Sequence, residues 1–98
     1  MSNYDFKKGN KCFYLGENEE NPIAEITYKP TENGRVIIDH TYVSPQLRGR
    51  QIAKGLVDCV ANYCREENLK VLPLCSYAQK LMKKNEEYTD ILDIDNQR

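Results

Sequence analysis

The sequence predicts an α/β (α+β) domain of about four strands, three antiparallel and the last parallel to its neighbour, with two main helices. Three observations point there. Ala24, Ile26 and Tyr28 alternate with Glu25 and Thr27, the two-residue period of a half-buried strand. From Leu47 to about Glu66 the spacing changes to steps of three and four, the period of a helix. An apolar run, Val71-Leu72-Pro73-Leu74, follows, so strand, helix and strand stand in series. Such a series joins parallel neighbours through a crossover, which is right-handed as a rule.

Composition sets the bounds. The chain has 98 residues, room for one domain over 1–98 with a core of about 10–92 and a frayed tail, 93–98. Hydrophobic residues make up 40%, enough for one core, and 14 basic residues nearly balance 15 acidic ones. That balance argues against a nucleic-acid-binding protein. No apolar stretch is long enough to span a membrane, and the start shows no export signal, so a cytoplasmic setting is expected. Cys12, Cys59, Cys64 and Cys75 form no CxxC pair; reduced thiols and no metal site are expected.

The elements follow in order. Cys12–Leu15 is a short apolar strand, closed by the acidic turn segment Gly16–Pro22. Ala24–Tyr28 is the second strand, and Lys29–Gly34 supplies turn chemistry. Arg35–Val43 is the third, with Val36-Ile37-Ile38 apolar on both faces as in a central strand. In the helix, Ile52, Ala53, Leu56, Val57, Val60, Ala61 and Cys64 form the apolar face, and Asn68 ends it. Pro73 removes a donor from the fourth strand, so incomplete pairing is expected there. Ser76-Tyr77-Ala78-Gln79 has the form of a capping box, opening a second helix at about Tyr77 that runs through Lys84.

In α/β units ligands sit beyond the carboxyl ends of the parallel strands. Val43–Ala53 and Leu74–Tyr77 therefore face one crevice. The free amides and dipole of a helix start favour an anion there, Arg48 and Arg50 add charge, and Gly49 permits close approach. A diphosphate suits these groups; an ordinary surface helix would also account for them.

The stretch Val43-Ser44-Pro45-Gln46-Leu47-Arg48-Gly49-Arg50-Gln51-Ile52-Ala53 resembles the segment V-x-P-x-x-R-G-x-G-I-G/A of the GNAT acetyltransferases. Its core, Q/R-x-x-G-x-G/A, falls on Arg48, Gln51 and Ala53, with Gln51 in place of the family's central glycine. The likeness covers about residues 22–88 and is closest to a small, truncated subgroup lacking two early helices and the final strands. It implies a minimal GNAT-like fold that binds acetyl-CoA, with the pyrophosphate cradled at Arg48, Gly49, Arg50, Gln51, Ile52 and Ala53. It also implies that backbone groups of Thr41, Tyr42 and Val43 pair with the pantetheine amides. Cys75, Ser76 and Tyr77 stand where many relatives have N-x-x-A, with Cys75 replacing the Asn and Ala78 matching the Ala. The implied activity is transfer of acetyl to an amine, whether a small amine, a lysine or an N-terminus. The alternative is a CoA-binding sensor or interaction module without transfer. Oligomeric state stays open.

Two residues are candidates for the chemistry. Cys75 lies at a strand end before a helix start, a setting that favours thiolate; it could receive the acetyl group or protonate the departing sulfur. A small residue filling space is the other reading. His40, placed by alternation on one face with Val36, Ile38 and Tyr42, is the candidate general base; a strand histidine capped by a polar neighbour is its alternative. Tyr77 and Tyr88 are candidate acids, and Lys80, Lys83 and Lys84 candidate partners of a 3′-phosphate. Gln51 is expected inside the first helical turn, where glycine would cost up to about 1 kcal/mol.

Overall fold

The computed structural model describes residues 5–49 and 51–92. Five strands lie in the order β1-β2-β3-β4-β5: β1 (Lys7–Gly9), β2 (Cys12–Leu15), β3 (Ala24–Pro30), β4 (Arg35–Val43) and β5 (Lys70–Pro73). The first four pair antiparallel in sequence order, and β5 pairs parallel to β4 across α1 (Ile52–Glu67). A second helix, α2 (Ser76–Lys84), follows β5. The parallel pair and both helices are as expected; β1 is additional. Nothing in Lys7-Lys8-Gly9 carries a strand's hydrophobic pattern. It pairs because the two-residue turn Asn10-Lys11, with Lys11 at φ 61°, folds it back onto β2.

The core lies on one face of the sheet. Ala24, Ile26 and Tyr28 of β3, Val36 and Ile38 of β4, and Val71 of β5 are buried there. Against them α1 lays Ile52, Leu56, Val57, Val60, Ala61 and Cys64, a stripe at helical spacing. Ala78 and Met82 of α2, then Tyr88 and Ile91, join the same cluster. Phe13, Tyr28 and Tyr63 close its far end with ring centroids 5.5–6.3 Å apart. At Gly55 the Phe6 ring packs so close that a Cβ would lie 2.6 Å from it.

Helix ends depart from the sequence reading. α1 begins at Ile52, after a separate 3-10 turn, Pro45–Leu47, because Gly49 and Gln51 both adopt positive φ and break the helical path. Its end is as expected: Asn68 takes the left-handed conformation, φ 59°, and its N–H donates to the Cys64 carbonyl. No capping box forms at α2. Cys75 is the cap residue, Ser76 is already helical, and the Gln79 amide donates to the Cys75 carbonyl.

Pro73 costs the sheet nothing. In β5 the Lys70 and Leu74 amides donate to Gly34 and Ile38 of the β4 side, at 3.0 and 2.9 Å. Alternate residues turn the other way, as the Val71 amide does toward the Ile91 carbonyl at 2.7 Å. Pro73 shares that outward orientation, so its missing donor faces away from β4.

Beyond α2, Tyr88 anchors the chain to α1. Its ring is buried, its hydroxyl donates to Asp58 at 2.5 Å, and Lys54 bridges Asp58 and Glu87 at 3.1 Å each. Burial, then the Asp58 hydrogen bond and charge, push the phenol's pKa up, so it stays protonated and donating. Tyr88→Phe should lower stability by about 1 kcal/mol, and Tyr88→Ala by about 3–5 kcal/mol. Urea unfolding midpoints check this; equal losses would make the hydrogen bond, rather than the buried ring, the dominant contribution.

Candidate functional site

The site arises where β4 and β5 part. The two strands pair from Arg35↔Lys70 to Ile38↔Pro73, and there the ladder stops. The Ile38 carbonyl accepts both the Leu74 and the Cys75 amides, at 2.9 and 3.2 Å, and the chain then turns into α2. β4 continues to Val43 with only β3 beside it. Its other edge, from Asp39 to Val43, faces a gap rather than a strand.

A cleft of about 450 Å³ fills this gap and runs on to the start of α1. β4 contributes Thr41 and Val43 to its wall. The connecting turn adds Leu47, Arg48 and Gly49; the helix start adds Gln51, Ile52 and Ala53; and Tyr77 closes the α2 side. Of the residues picked from sequence, Thr41, Val43, Arg48, Gly49, Gln51, Ile52, Ala53 and Tyr77 thus meet in one place. Arg50 lies outside the described residues. Tyr42 has its side chain on the opposite face of the sheet, and its backbone groups, in register with Glu25 and one step from the Ser44 amide that donates to Ile23, point to β3; the β4 backbone that turns toward the cleft is that of Thr41 and Val43. Ser76 is exposed in the first turn of α2 and does not line the cleft. The sequence reading missed Leu47, whose signal was a single apolar residue within a polar turn.

The helix start is prepared for an anion. Its cap residue makes no side-chain hydrogen bond to the free amides, and no acidic residue occupies the first turn. Gly49 has φ 84°, a conformation that glycine takes without steric cost, and a Cβ there would meet nothing within 4 Å. The Arg48 guanidinium ties the turn to β4, its Nε donating to the Val43 carbonyl at 3.1 Å. Gln51 stands at φ 63° just before the helix. The expectation that it sits inside the first turn is therefore corrected: the position is left-handed, where a side chain is strained and glycine is not.

His40 is also displaced from its expected face. The register of β3 with β4 slips between Thr27 and Tyr28, because Tyr28 pairs with Ile38 and Thr27 with His40. Asp39 is the extra residue of this bulge, and its carboxylate accepts from the Thr27 hydroxyl at 2.5 Å. Past it, Thr41 and Val43 continue the core face of Val36 and Ile38, while His40 and Tyr42 turn outward. His40 is exposed there, at the outer mouth of the gap.

Cys75 lies beside the cleft, its Sγ 3.5 Å from the Thr41 hydroxyl. Burial raises its pKa, but donors outweigh that effect: the Ala78 amide, the Thr41 hydroxyl, and the Tyr77 and Thr41 amides. The thiol is held below its ordinary value. The other cysteines go the opposite way, each to about 11: Cys12 through burial and Glu19, Cys59 through burial and Asp58, and Cys64 through burial. Burial likewise raises Tyr77, which keeps a protonated phenol on the cleft wall. Tyr88, donating to Asp58 inside the core, is not available to the cleft. Among the described residues no group of three His, Cys, Asp or Glu could hold a metal, and no helix is long and apolar enough to cross a membrane.

Comparisons with known proteins identify the family and the fold. A family profile described as GCN5-related N-acetyl-transferase matches residues 12–91. Protein NATD1 of Danio rerio is 33% identical over 78 residues, which are 80% of this chain and 71% of that protein. NATD1 of Mus musculus is 43% identical over 62 residues, 63% of this chain and 56% of its own length, so the chain spans little more than half of that relative. The solution structure of a GCN5-like protein from Staphylococcus aureus superposes with a TM-score of 0.78 at 41% identity, covering 94% of this chain and 90% of that one. A GNAT-family acetyltransferase from S. aureus Mu50, 22% identical, shares the fold with a TM-score of 0.61 over 76% of this chain and 50% of its own.

Two outcomes are expected. Gln51→Gly should leave stability unchanged or raise it by up to about 1 kcal/mol, whereas the β-branched Gln51→Val should lower it by more than about 1 kcal/mol; thermal unfolding decides. Alkylation proceeds through thiolate, whose fraction rises as pH climbs through the pKa, so the depressed thiol leads near neutrality. Cys75 should be modified first, and Thr41→Val should move its midpoint upward; faster modification of Cys12 or Cys59 would contradict the assignment.

Proposed function

The chain belongs to the GCN5-related N-acetyltransferase family, and from that premise we propose that it binds acetyl-CoA and transfers the acetyl group to an amine. The observation that carries the reading is the continuity of the cleft. A strand edge that β5 leaves uncovered leads to an uncapped helix start. The edge suits an extended chain bearing amides, and the helix start suits a diphosphate. Together they match the two halves of coenzyme A in order and in chemistry.

In this reading the first amides of α1, at Ile52 and Ala53, and the Arg48 guanidinium hold the pyrophosphate. The gap-facing backbone of β4, at the Thr41 carbonyl and the Val43 N–H, is offered to the pantetheine amides, while the backbone of Tyr42 faces β3. When bound, acetyl-CoA supplies an acetyl group activated as a thioester. Backbone N–H groups of β4 near the bulge stand where they can stabilise negative charge on a carbonyl oxygen. His40, exposed at the outer mouth, takes the proton of the incoming amine. Cys75 serves as the proton donor to the departing sulfur, with the Tyr77 phenol as a second donor on the same wall.

Cys75 also supports a two-step variant, because four donors favour its thiolate. There the sulfur accepts the acetyl group and passes it to the amine. Intact-mass analysis after incubation with acetyl-CoA separates the two routes: an adduct on Cys75 that an amine discharges is the mark of the second. Binding without amine-dependent CoA release would instead identify a CoA-binding module.

Titration with acetyl-CoA should shift the backbone amides of Thr41–Val43 and Gly49–Ala53. Arg48→Ala should weaken binding about tenfold and flatten its salt dependence, since a charge-assisted contact to phosphate is lost. Unaltered affinity in the folded variant, or shifts centred on residues 12–28, would remove the cleft from the reading.

A further inference from the structure

We propose that the face of the sheet that no described helix covers is the docking surface for the acceptor, and that this acceptor is a basic polypeptide segment. The inference rests on the reading above and names its substrate class. Every buried residue of α1 and α2 joins the single core on the other face. On the outer face, Tyr14, Ile37 and Leu72 lie outside that core, and no described helix covers them. The gap between β4 and β5 opens onto this face between His40 and Tyr42 on one side and Leu74 on the other. Leu74 is 57% exposed, Tyr42 37%, and Ile23 nearby 43%. On the helix side, the cleft that receives coenzyme A is walled by α1 and Tyr77. An amine therefore reaches the reacting end from the outer face.

The chemistry of that face favours a cation beside the reacting amine. The register places Lys7, Tyr14, Glu25 and Tyr42 in one row across four adjacent strands, and the Lys7 ammonium at its far end donates to the Gly16 carbonyl at 3.1 Å. Glu25 is half-buried, and among the described residues no hydrogen bond or ion pair engages its carboxylate. A half-buried carboxylate between two aromatic residues matches a lysine or arginine, which can lay its stem on the rings and its charge on the acid. An acidic hollow of about 790 Å³ extends from this row over β2, lined by Glu19, Glu20 and Glu25 and by no lysine or arginine. That size suits a drug-sized ligand and exceeds what one simple amine fills. A polyamine would satisfy the carboxylates yet leave Ile23, Tyr42 and Leu74 exposed; a polypeptide covers them as well. Adjacent strands lie about 4.8 Å apart, so Glu25 is one strand from the β4 edge. A cation two positions from the reacting lysine, about 7 Å along an extended chain, spans that step.

Two short capped peptides test this, each with a single lysine, one carrying an arginine two positions away and the other a glutamate. They are titrated into the protein saturated with acetyl-CoA, and also into the free protein, with backbone amide shifts as the readout. The arginine peptide should shift Tyr14, Glu25, Thr27 and Tyr42, and the glutamate peptide should not. Glu25→Gln should weaken the arginine peptide about tenfold while leaving the acetyl-CoA titration unchanged. Equal binding of both peptides, shifts elsewhere, or spermidine binding as tightly as the arginine peptide would overturn the proposal. Failure of the cofactor reading shows separately, as absent shifts at Thr41–Val43 and Gly49–Ala53 before any peptide is added. The free-protein titration then still decides the docking surface.

Discussion

The separation of β4 from β5 is the constraint on which the site depends. A parallel ladder that continued to Val43 would consume the gap-facing backbone groups of Thr41 and Val43, and no edge would remain to offer. The ladder ends because one carbonyl, that of Ile38, receives two consecutive amides and so swings the chain out of the strand direction. That turn also sets Cys75 at the cap of α2, with its sulfur facing back toward Thr41. One local arrangement therefore opens the gap and places a thiol beside it. The bulge at Asp39 acts on the same stretch from the other strand, deciding which side chains look into the cleft and which look out. Thr41 and Val43 are thereby cleft residues, and His40 and Tyr42 belong to the outer face.

Much of this was legible in the residues, and the limits have physical causes. Strands β2 to β5 and the crossover follow from hydrophobic period, because each buries one face against a helix. β1 escaped because its place is set by a tight turn and by pairing, neither of which leaves an apolar signature. The face of His40 was misread because alternation is reliable only within an uninterrupted ladder. A single inserted residue reverses every side chain beyond it, and Asp39-His40-Thr41 is polar throughout, so no hydrophobic pattern reveals the slip. The capping box at Ser76 failed for a related reason: the sequence pattern was present, but the backbone of Cys75 already occupied the cap position. Pro73 was read correctly as a missing donor, yet its consequence depended on which way that donor would have pointed.

The departure at Gln51 acquires a backbone explanation. The related motif carries glycine where this chain has Gln51, and the structure places that residue at φ 63°. Gly49, two residues earlier, also has positive φ. The chain keeps the turn while carrying a side chain at its second position, at the expense of local strain. Glycine at such a place is thus a matter of conformation first and of space second. The open surroundings of Gly49 argue the same way, since a Cβ there would touch nothing.

Among the described residues, helices cover only one face of the sheet. An antiparallel sheet tolerates water on its other side, so the fold itself requires nothing more. The gap between β4 and β5 nevertheless passes through the sheet, and its two mouths differ in character. The helix side is walled by α1 and Tyr77 and ends at the uncapped start of α1. The outer side is broad, carries exposed Tyr42 and Leu74, and holds the half-buried Glu25 one strand away. A surface of that kind selects by what can lie across it rather than by what fits within a pocket. In the proposed reading, the acceptor's neighbours, as much as its amine, become part of the recognition, and selectivity needs no second wall.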